Sequence, residues 1–145
     1  MKQSNIWMRF LVLGIIISLP LFINSCQKIN YGQFAEFHFV NKTNHAITYN
    51  EGFEKYNVAA MSTTIVKESQ YAGKNVTAEG YMIPFGPNPF VIHFDQLKCI
   101  REHHPDSIHS VLNFKNYVSE KIGERTYKFT YTFTEADYNR AVACP

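Results

Sequence analysis

Residues 126–133 read TYKFTYTF. Tyr127, Phe129, Tyr131 and Phe133 alternate there with Thr126, Lys128, Thr130 and Thr132. Successive side chains of an extended chain leave opposite faces, so this period of two puts every ring on one face and every polar group on the other. Rings at every second position need a deep apolar surface to lie against. The segment is therefore predicted to be a long strand over a core. Thr134-Glu135-Ala136-Asp137 follows and matches a capping box, a hydroxyl with a carboxylate three residues on. It predicts a short helical turn reaching Ala141.

Working back from that strand, Ala35–Val40 (AEFHFV) sets Phe37 and Phe39 against Glu36 and His38. Asn41-Lys42-Thr43-Asn44 is turn chemistry, and Ala46–Asn50 places Ile47 and Tyr49 on one side. The two segments are expected to pair as a hairpin. Glu51–Tyr56, with Gly52, is expected to be loop, and Met61–Ser69 a third strand. Ala72–Asn75 breaks the chain before Val76–Met82. Pro84–Pro89 (PFGPNP) forbids regular structure, because each proline lacks an N–H and constrains the residue before it. Phe90–Phe94 then puts Phe90, Ile92 and Phe94 on one face, Asp95-Gln96 turns the chain, and Leu97–Arg101 returns as its partner. Ser110–Phe114 is a weaker strand candidate, and Ser119–Arg125, with Gly123, a polar excursion. About seven strands without long helical periodicity argue for a two-layer β-sandwich, a closed barrel of the same strands being the alternative. The lone Trp7 lies far upstream, so the Cys–Trp–Cys pattern of antibody domains is not available.

The N-terminus is of another kind. MKQSNIWMR precedes FLVLGIIISLPLFINSC, Phe10–Cys26, and Lys2 and Arg9 are the only charges before Cys26. A basic start followed by the apolar run Phe10–Phe22 is the pattern of a secretory signal. A membrane-spanning helix needs about 20 apolar residues, and Pro20 would disturb one here; an uncleaved anchor is the competing reading. Ile23-Asn24-Ser25-Cys26 resembles the bacterial lipobox. That resemblance implies cleavage before Cys26, diacylglycerol on its thiol, and often a further acyl chain on the new amine. Two or three chains anchor durably, each buried methylene contributing about 0.8 kcal/mol. The expected organisation is a lipoprotein signal over 1–25, a lipidated cysteine and tether over 26–34, and a β-sandwich domain over 35–145.

Removal of 1–25 leaves 120 of the 145 residues, enough for one domain. It also removes Lys2 and Arg9, leaving 12 basic residues against 12 acidic ones. A balanced domain has no electrostatic footprint for nucleic acid. The tether QKINYGQ, Gln27–Gln33, lacks the acidic cluster that resembles the surface-export signal of lipoproteins in gut Bacteroides-type bacteria. Gln27 also departs from the aspartate that retains some lipoproteins in the inner membrane. These comparisons imply the outer membrane, facing the periplasm, with surface exposure as the alternative.

Three stretches carry a wider resemblance: Phe37-His38-Phe39-Val40-Asn41-Lys42-Thr43 followed by Ile47, then Val91-Ile92-His93-Phe94-Asp95, then Tyr131-Thr132-Phe133-Thr134-Glu135-Ala136-Asp137-Tyr138. They resemble small β-sandwich lipoproteins of Bacteroides-type bacteria over most of the mature chain. The resemblance implies an immunoglobulin-like fold of unassigned function and brings no catalytic or binding residue. The expected fold class is thus all-β, an immunoglobulin-like antiparallel β-sandwich of about seven strands with a short C-terminal helical turn.

Cys99 and Cys144 remain once Cys26 is acylated. Export and the even count point to a disulfide contributing roughly 3–4 kcal/mol in the chain-entropy model; two unpaired buried thiols are the other reading. A nucleophilic Cys99 needs a partner histidine and an electropositive pocket, and sequence places neither. Glu102-His103-His104-Pro105-Asp106 with His109 is the densest set of metal-ligand types. Adjacent histidines on a strand point to opposite faces, and the spacing matches neither HExxH nor a structural zinc pattern, so His103, His104, Asp106 and His109 also read as a solvated loop. Asp106-Ser107-Ile108 resembles the O-glycosylation acceptor of the same bacterial group, at Ser107.

Tyr81–Phe90 (YMIPFGPNPF) mixes rings and prolines. Exposed, Tyr81, Phe85 and Phe90 would offer a contact loop for a glycan or protein; turned inward, Phe85 and Phe90 would plug the end of the sandwich. No GxSxG, P-loop, CxxC or Rossmann fingerprint occurs. The expectation is a non-enzymatic, lipid-anchored envelope protein for binding or assembly. Its partners would be membrane lipid through Cys26 and an envelope protein or glycan, with no nucleic acid and no cofactor. The alternatives are a metal-dependent envelope enzyme using His103, His104 and Asp106, and a purely structural lipoprotein.

Overall fold

In the computed structural model, which describes residues 31–51, 54–72, 75–85, 90–102 and 109–145, strand β8 spans Thr126–Phe133, the bounds read from its alternation. Phe129, Tyr131 and Phe133 are buried, and Tyr127 packs half-buried at the margin of the core. Its neighbour is β1, Tyr31–Asn41, which buries Phe37 and Phe39 on the same side. Phe37 lies opposite Phe129, and their rings stack with centroids 5.2 Å apart.

The other strands are β2 (Ile47–Glu51), β3 (Glu54–Val58), β4 (Thr63–Ala72), β5 (Phe90–Phe94), β6 (Lys98–Glu102), β7 (Val118–Gly123) and β9 (Val142–Ala143). One helix, α1 (Glu135–Arg140), precedes β9. Among the described residues nine strands form two sheets, ordered β4-β1-β8-β7 and β3-β2-β5-β6-β9. Inward rings join the sheets: Phe39 of β1 meets Tyr49 of β2 edge-on at 5.6 Å. The all-β expectation holds, in two separate sheets with a shared core; the expected strand count of about seven becomes nine among the described residues.

Three expectations are corrected. First, the sheets are not wholly antiparallel, because β1 and β8 run parallel. Alternation has period two in either direction, so it cannot report the sense of a pairing. Second, the segments read as a first hairpin are not partners: β1 pairs with β4 and β8, and β2 with β3 and β5. Asn41 carries the chain from one sheet to the other. Its buried side-chain amide donates to the carbonyls of His45 (2.7 Å), Ala59 (3.0 Å) and Val58 (3.2 Å), while its oxygen accepts from the backbone N–H of Thr43 at 2.9 Å. Those bonds satisfy main-chain groups that a hairpin ladder would otherwise take.

Third, strands form where loops were expected and loops where strands were. β3 takes the second half of the loop Glu51–Tyr56, and β7 takes most of the polar excursion Ser119–Arg125. Both are edge strands, and the exposed, charged residues of β7 show no buried alternation to read. Val76–Met82 and Ser110–Phe114 hold no strand, and 3-10 turns form at Ala78–Gly80 and Phe114–Asn116. In the second stretch side chains bond the backbone instead: Ser110 Oγ accepts from Leu112 N–H at 3.0 Å, and Tyr117 O–H donates to the Val111 carbonyl at 2.8 Å.

β1 also starts earlier than Ala35, at Tyr31, and Gln33, from the stretch read as tether, is 2% exposed. At the other end the expected capping box is present: Thr134 N–H donates to Asp137 Oδ2 at 2.8 Å and opens α1.

Candidate functional site

Val118↔Thr130 is the last pair between β7 and β8, so Tyr131–Phe133 run on past their edge neighbour. The space beside them is a cavity of about 320 Å³, lined by His109, Asn116, Thr132, Thr134, Asp137 and Arg140 among others. Helix α1 supplies one wall because the capping box fixes its start against β8. His109 adopts a left-handed backbone (φ 66°), and its carbonyl accepts from Tyr131 O–H at 2.8 Å and from Arg140 Nη2 at 2.9 Å. Arg140 Nε donates to Asp137 Oδ1 at 3.2 Å, and Asn116 Nδ2 donates to the Ser110 carbonyl at 2.7 Å. The lining sets these fixed polar groups among apolar surface. It suits a small ligand rich in hydroxyl or carboxylate oxygens.

A second polar cluster lies where the 41–46 crossover meets the β5–β6 turn. Asp95 and Gln96 take left-handed backbones (φ 49° and 60°), and Leu97 N–H closes the turn on the Phe94 carbonyl at 2.9 Å. Asp95 Oδ1 accepts from Ala46 N–H at 2.7 Å, and Asp95 Oδ2 sits 2.6 Å from His45 Nδ1. The bond to His45, then that to Ala46, holds the Asp95 carboxyl below the usual carboxylate range. The His45 ring stacks on Tyr138 with centroids 3.6 Å apart, and Lys98 Nζ lies 4.2 Å from the centre of the same ring. This His–Asp pair ties the crossover to the turn and to α1; its bonds are those of a clamp.

The structure separates the remaining sequence candidates. Tyr81 is buried, donates its O–H to the Arg125 carbonyl at 3.0 Å and packs on Phe129, and burial raises its phenol pKa. Phe85 packs against Phe39 (5.5 Å) and Tyr49 (5.3 Å). Tyr81 and Phe85 therefore pack against core rings instead of forming an exposed contact loop. Phe90 begins β5, and its side chain lies outside the described residues. Cys26, His103, His104, Asp106 and Ser107 also lie outside them.

Cys99 and Cys144 are joined as a disulfide, with Cα atoms 5.1 Å apart. His93 Nδ1 stands 3.1 Å from Cys99 Sγ and 3.6 Å from Cys144 Sγ. Sequence reasoning missed this histidine. A two-residue turn at Asp95-Gln96 would pair His93 with Lys98, but Leu97 belongs to the loop, and the observed register sets His93 opposite Cys99. Among the described residues, no helix is long and apolar enough to cross a membrane.

No protein-family model, curated protein or solved structure matches this chain.

Proposed function

We propose that this chain is a lipid-anchored envelope protein of the outer membrane, facing the periplasm, whose immunoglobulin-like sandwich binds a small polar ligand without turning it over. The observation that carries the reading is the junction of the signal with the fold. Phe10–Cys26 ends in a lipobox-like cysteine, and β1 begins at Tyr31, five residues later. Five residues reach about 17 Å at full extension, so an acylated Cys26 holds the domain against its membrane. β1 is an interior strand, paired on both edges by β4 and β8, which suits a tether that bears load.

The cavity beside α1 is the ligand site of this reading, and a glycan unit or the acidic end of an envelope molecule fits its hydroxyl, amide and guanidinium lining. Its polar groups are tied to one another and to main-chain carbonyls, which favours binding over turnover.

The test has two arms. In a bacterial host that processes lipoproteins, an alkyne-tagged fatty acid should label the wild type and leave Cys26→Ser unlabelled and released from membranes; a Cys26→Ser protein that stays labelled refutes the anchor. Saturation-transfer NMR against a panel of mono- and disaccharides and uronic acids should give signals that Asn116→Ala and Thr132→Ala abolish. Signals unchanged in both variants, or none from the whole panel, refute the ligand site.

A further inference from the structure

The pairing of His93 with the Cys99–Cys144 bond goes beyond a structural staple. Three soft or borderline ligand atoms, His93 Nδ1 and the two Sγ atoms, lie within 4.8 Å of one another. We propose that Cys99, Cys144 and His93 form a zinc site whenever the disulfide is reduced, so that one three-residue cluster holds either a covalent bond or a metal ion.

Ligand type and geometry both favour this. Thiolate and imidazole are the preferred ligands of zinc, and three protein ligands leave a fourth position for water. Zn–S bonds of about 2.3 Å and Zn–N bonds of about 2.0–2.1 Å in a tetrahedron place nitrogen and sulfur roughly 3.5 Å apart. The two N–S separations here, 3.1 and 3.6 Å, already stand near that value. Only the two sulfurs must part, to roughly 3.8 Å in the same tetrahedron.

The fold assigns that movement to one residue. His93 and Cys99 face each other across β5 and β6, fixed by the hairpin register, and Cys99 is buried. Cys144 follows the two-residue strand β9 and is half-buried. Its backbone N–H donates to the Leu97 carbonyl at 3.1 Å, and β9 pairs Val142 with Cys99, so the tail keeps its register while the side chain swings. The sequence offered Cys99 no partner histidine; in the fold that histidine is His93.

The chemistry balances. Two molecules of a small thiol become one disulfide, and the two cysteine sulfurs take up two electrons and two protons as the Cys99–Cys144 bond breaks. Zinc then displaces those two protons, and neutral His93 binds through Nδ1 with its proton on Nε2. In the reverse direction an oxidant that closes the disulfide releases the metal.

The test uses the full chain in mild detergent. After reduction with a phosphine and anaerobic desalting, titration with zinc against a chromophoric chelator should show one zinc per chain, and the oxidised protein should take none. His93→Ala and Cys144→Ser should each weaken binding at least tenfold, while the double variant His103→Ala/His104→Ala binds as the wild type does. Zinc should also slow reoxidation of the wild type by a small disulfide at least tenfold, a readout that needs no variant. Three results overturn the proposal: no zinc uptake by the reduced wild type, equal affinity in His93→Ala, or equal uptake by the oxidised protein.

Discussion

In the four-stranded sheet, β1, β4 and β8 run 11, 10 and 8 residues, and β1 and β8 stay in register from Phe34↔Thr126 to Asn41↔Phe133. In the five-stranded sheet no strand exceeds 5 residues and β9 has 2. At the centre of the first sheet, β1 and β8 face each other with rings at alternate positions, a device those two strands carry within themselves. The second is held by tertiary ties: the Asn41 crossover, the Asp95 turn and the Cys99–Cys144 bond. Short strands bury too little surface to fix their own register, so cross-links from elsewhere in the chain do it for them.

The largest effect is expected in the long-strand sheet. Phe129 is fully buried and touches Phe37, Tyr81 and Phe114, so Phe129→Ala should cost about 3–5 kcal/mol in denaturant unfolding. A loss below about 1 kcal/mol would deny that sheet its leading role.

Next comes the staple of the short-strand sheet. The sequence separation of 45 between Cys99 and Cys144 puts the chain-entropy benefit at about 4 kcal/mol, with measured values for such bonds usually about 2–4. Reduction in the presence of a zinc chelator should lower the melting temperature accordingly, and hydrogen exchange should rise in β6 and β9 before it rises in β1 and β8. Uniform loosening of both sheets would erase the contrast drawn here.

Asn41→Ala removes the amide from three carbonyls in a buried corner and should cost about 2 kcal/mol. The crossover should loosen with β1 and β8 intact, seen as amide exchange at Thr43 and Ala46 ahead of Phe37 and Phe129. Smaller again is Tyr117→Phe, about 1 kcal/mol, because the lost O–H leaves the buried Val111 carbonyl unpaired.

The pH limbs divide along the same line. Burial pushes the Tyr117 phenol well above its ordinary value, so its contribution is complete below about pH 10 and is lost as pH rises beyond it. The Asp95 carboxyl is held low by His45 and Ala46, so its contribution is complete above about pH 4 and is lost as pH falls below that. Tyr117→Phe should flatten the alkaline limb of a stability profile and Asp95→Asn, the smallest effect of the series, the acid limb. An acid limb unchanged in Asp95→Asn would show that the turn clamp adds nothing measurable.

How much was legible follows from where each signal sits. Thr126–Phe133 and the capping box at Thr134 were readable because their determinants lie within a few residues of one another. The hairpin of β5 and β6 was readable too, though one residue out of register, since nothing local says that Leu97 belongs to the loop. That single slip hid the candidate metal ligand, His93. The cavity beside α1 was not legible, because its walls come from the 109–116 stretch, the end of β8 and α1. Of the sequence's candidates among the described residues only His109 reached it, while Tyr81 and Phe85 were drawn into the core by the rings around them.

By itself the sequence determined which faces of β1 and β8 are apolar, where α1 begins, and that residues 26–145 carry equal numbers of basic and acidic side chains. Those properties depend on side-chain period and composition, which are local or additive. The tertiary structure alone decided that β1 and β8 run parallel, that Asn41 sends the chain into the second sheet, and that His93 meets the two cysteines. Each of these depends on which distant backbone groups satisfy one another, and hydrogen bonds between residues far apart in the chain leave no periodic trace along it.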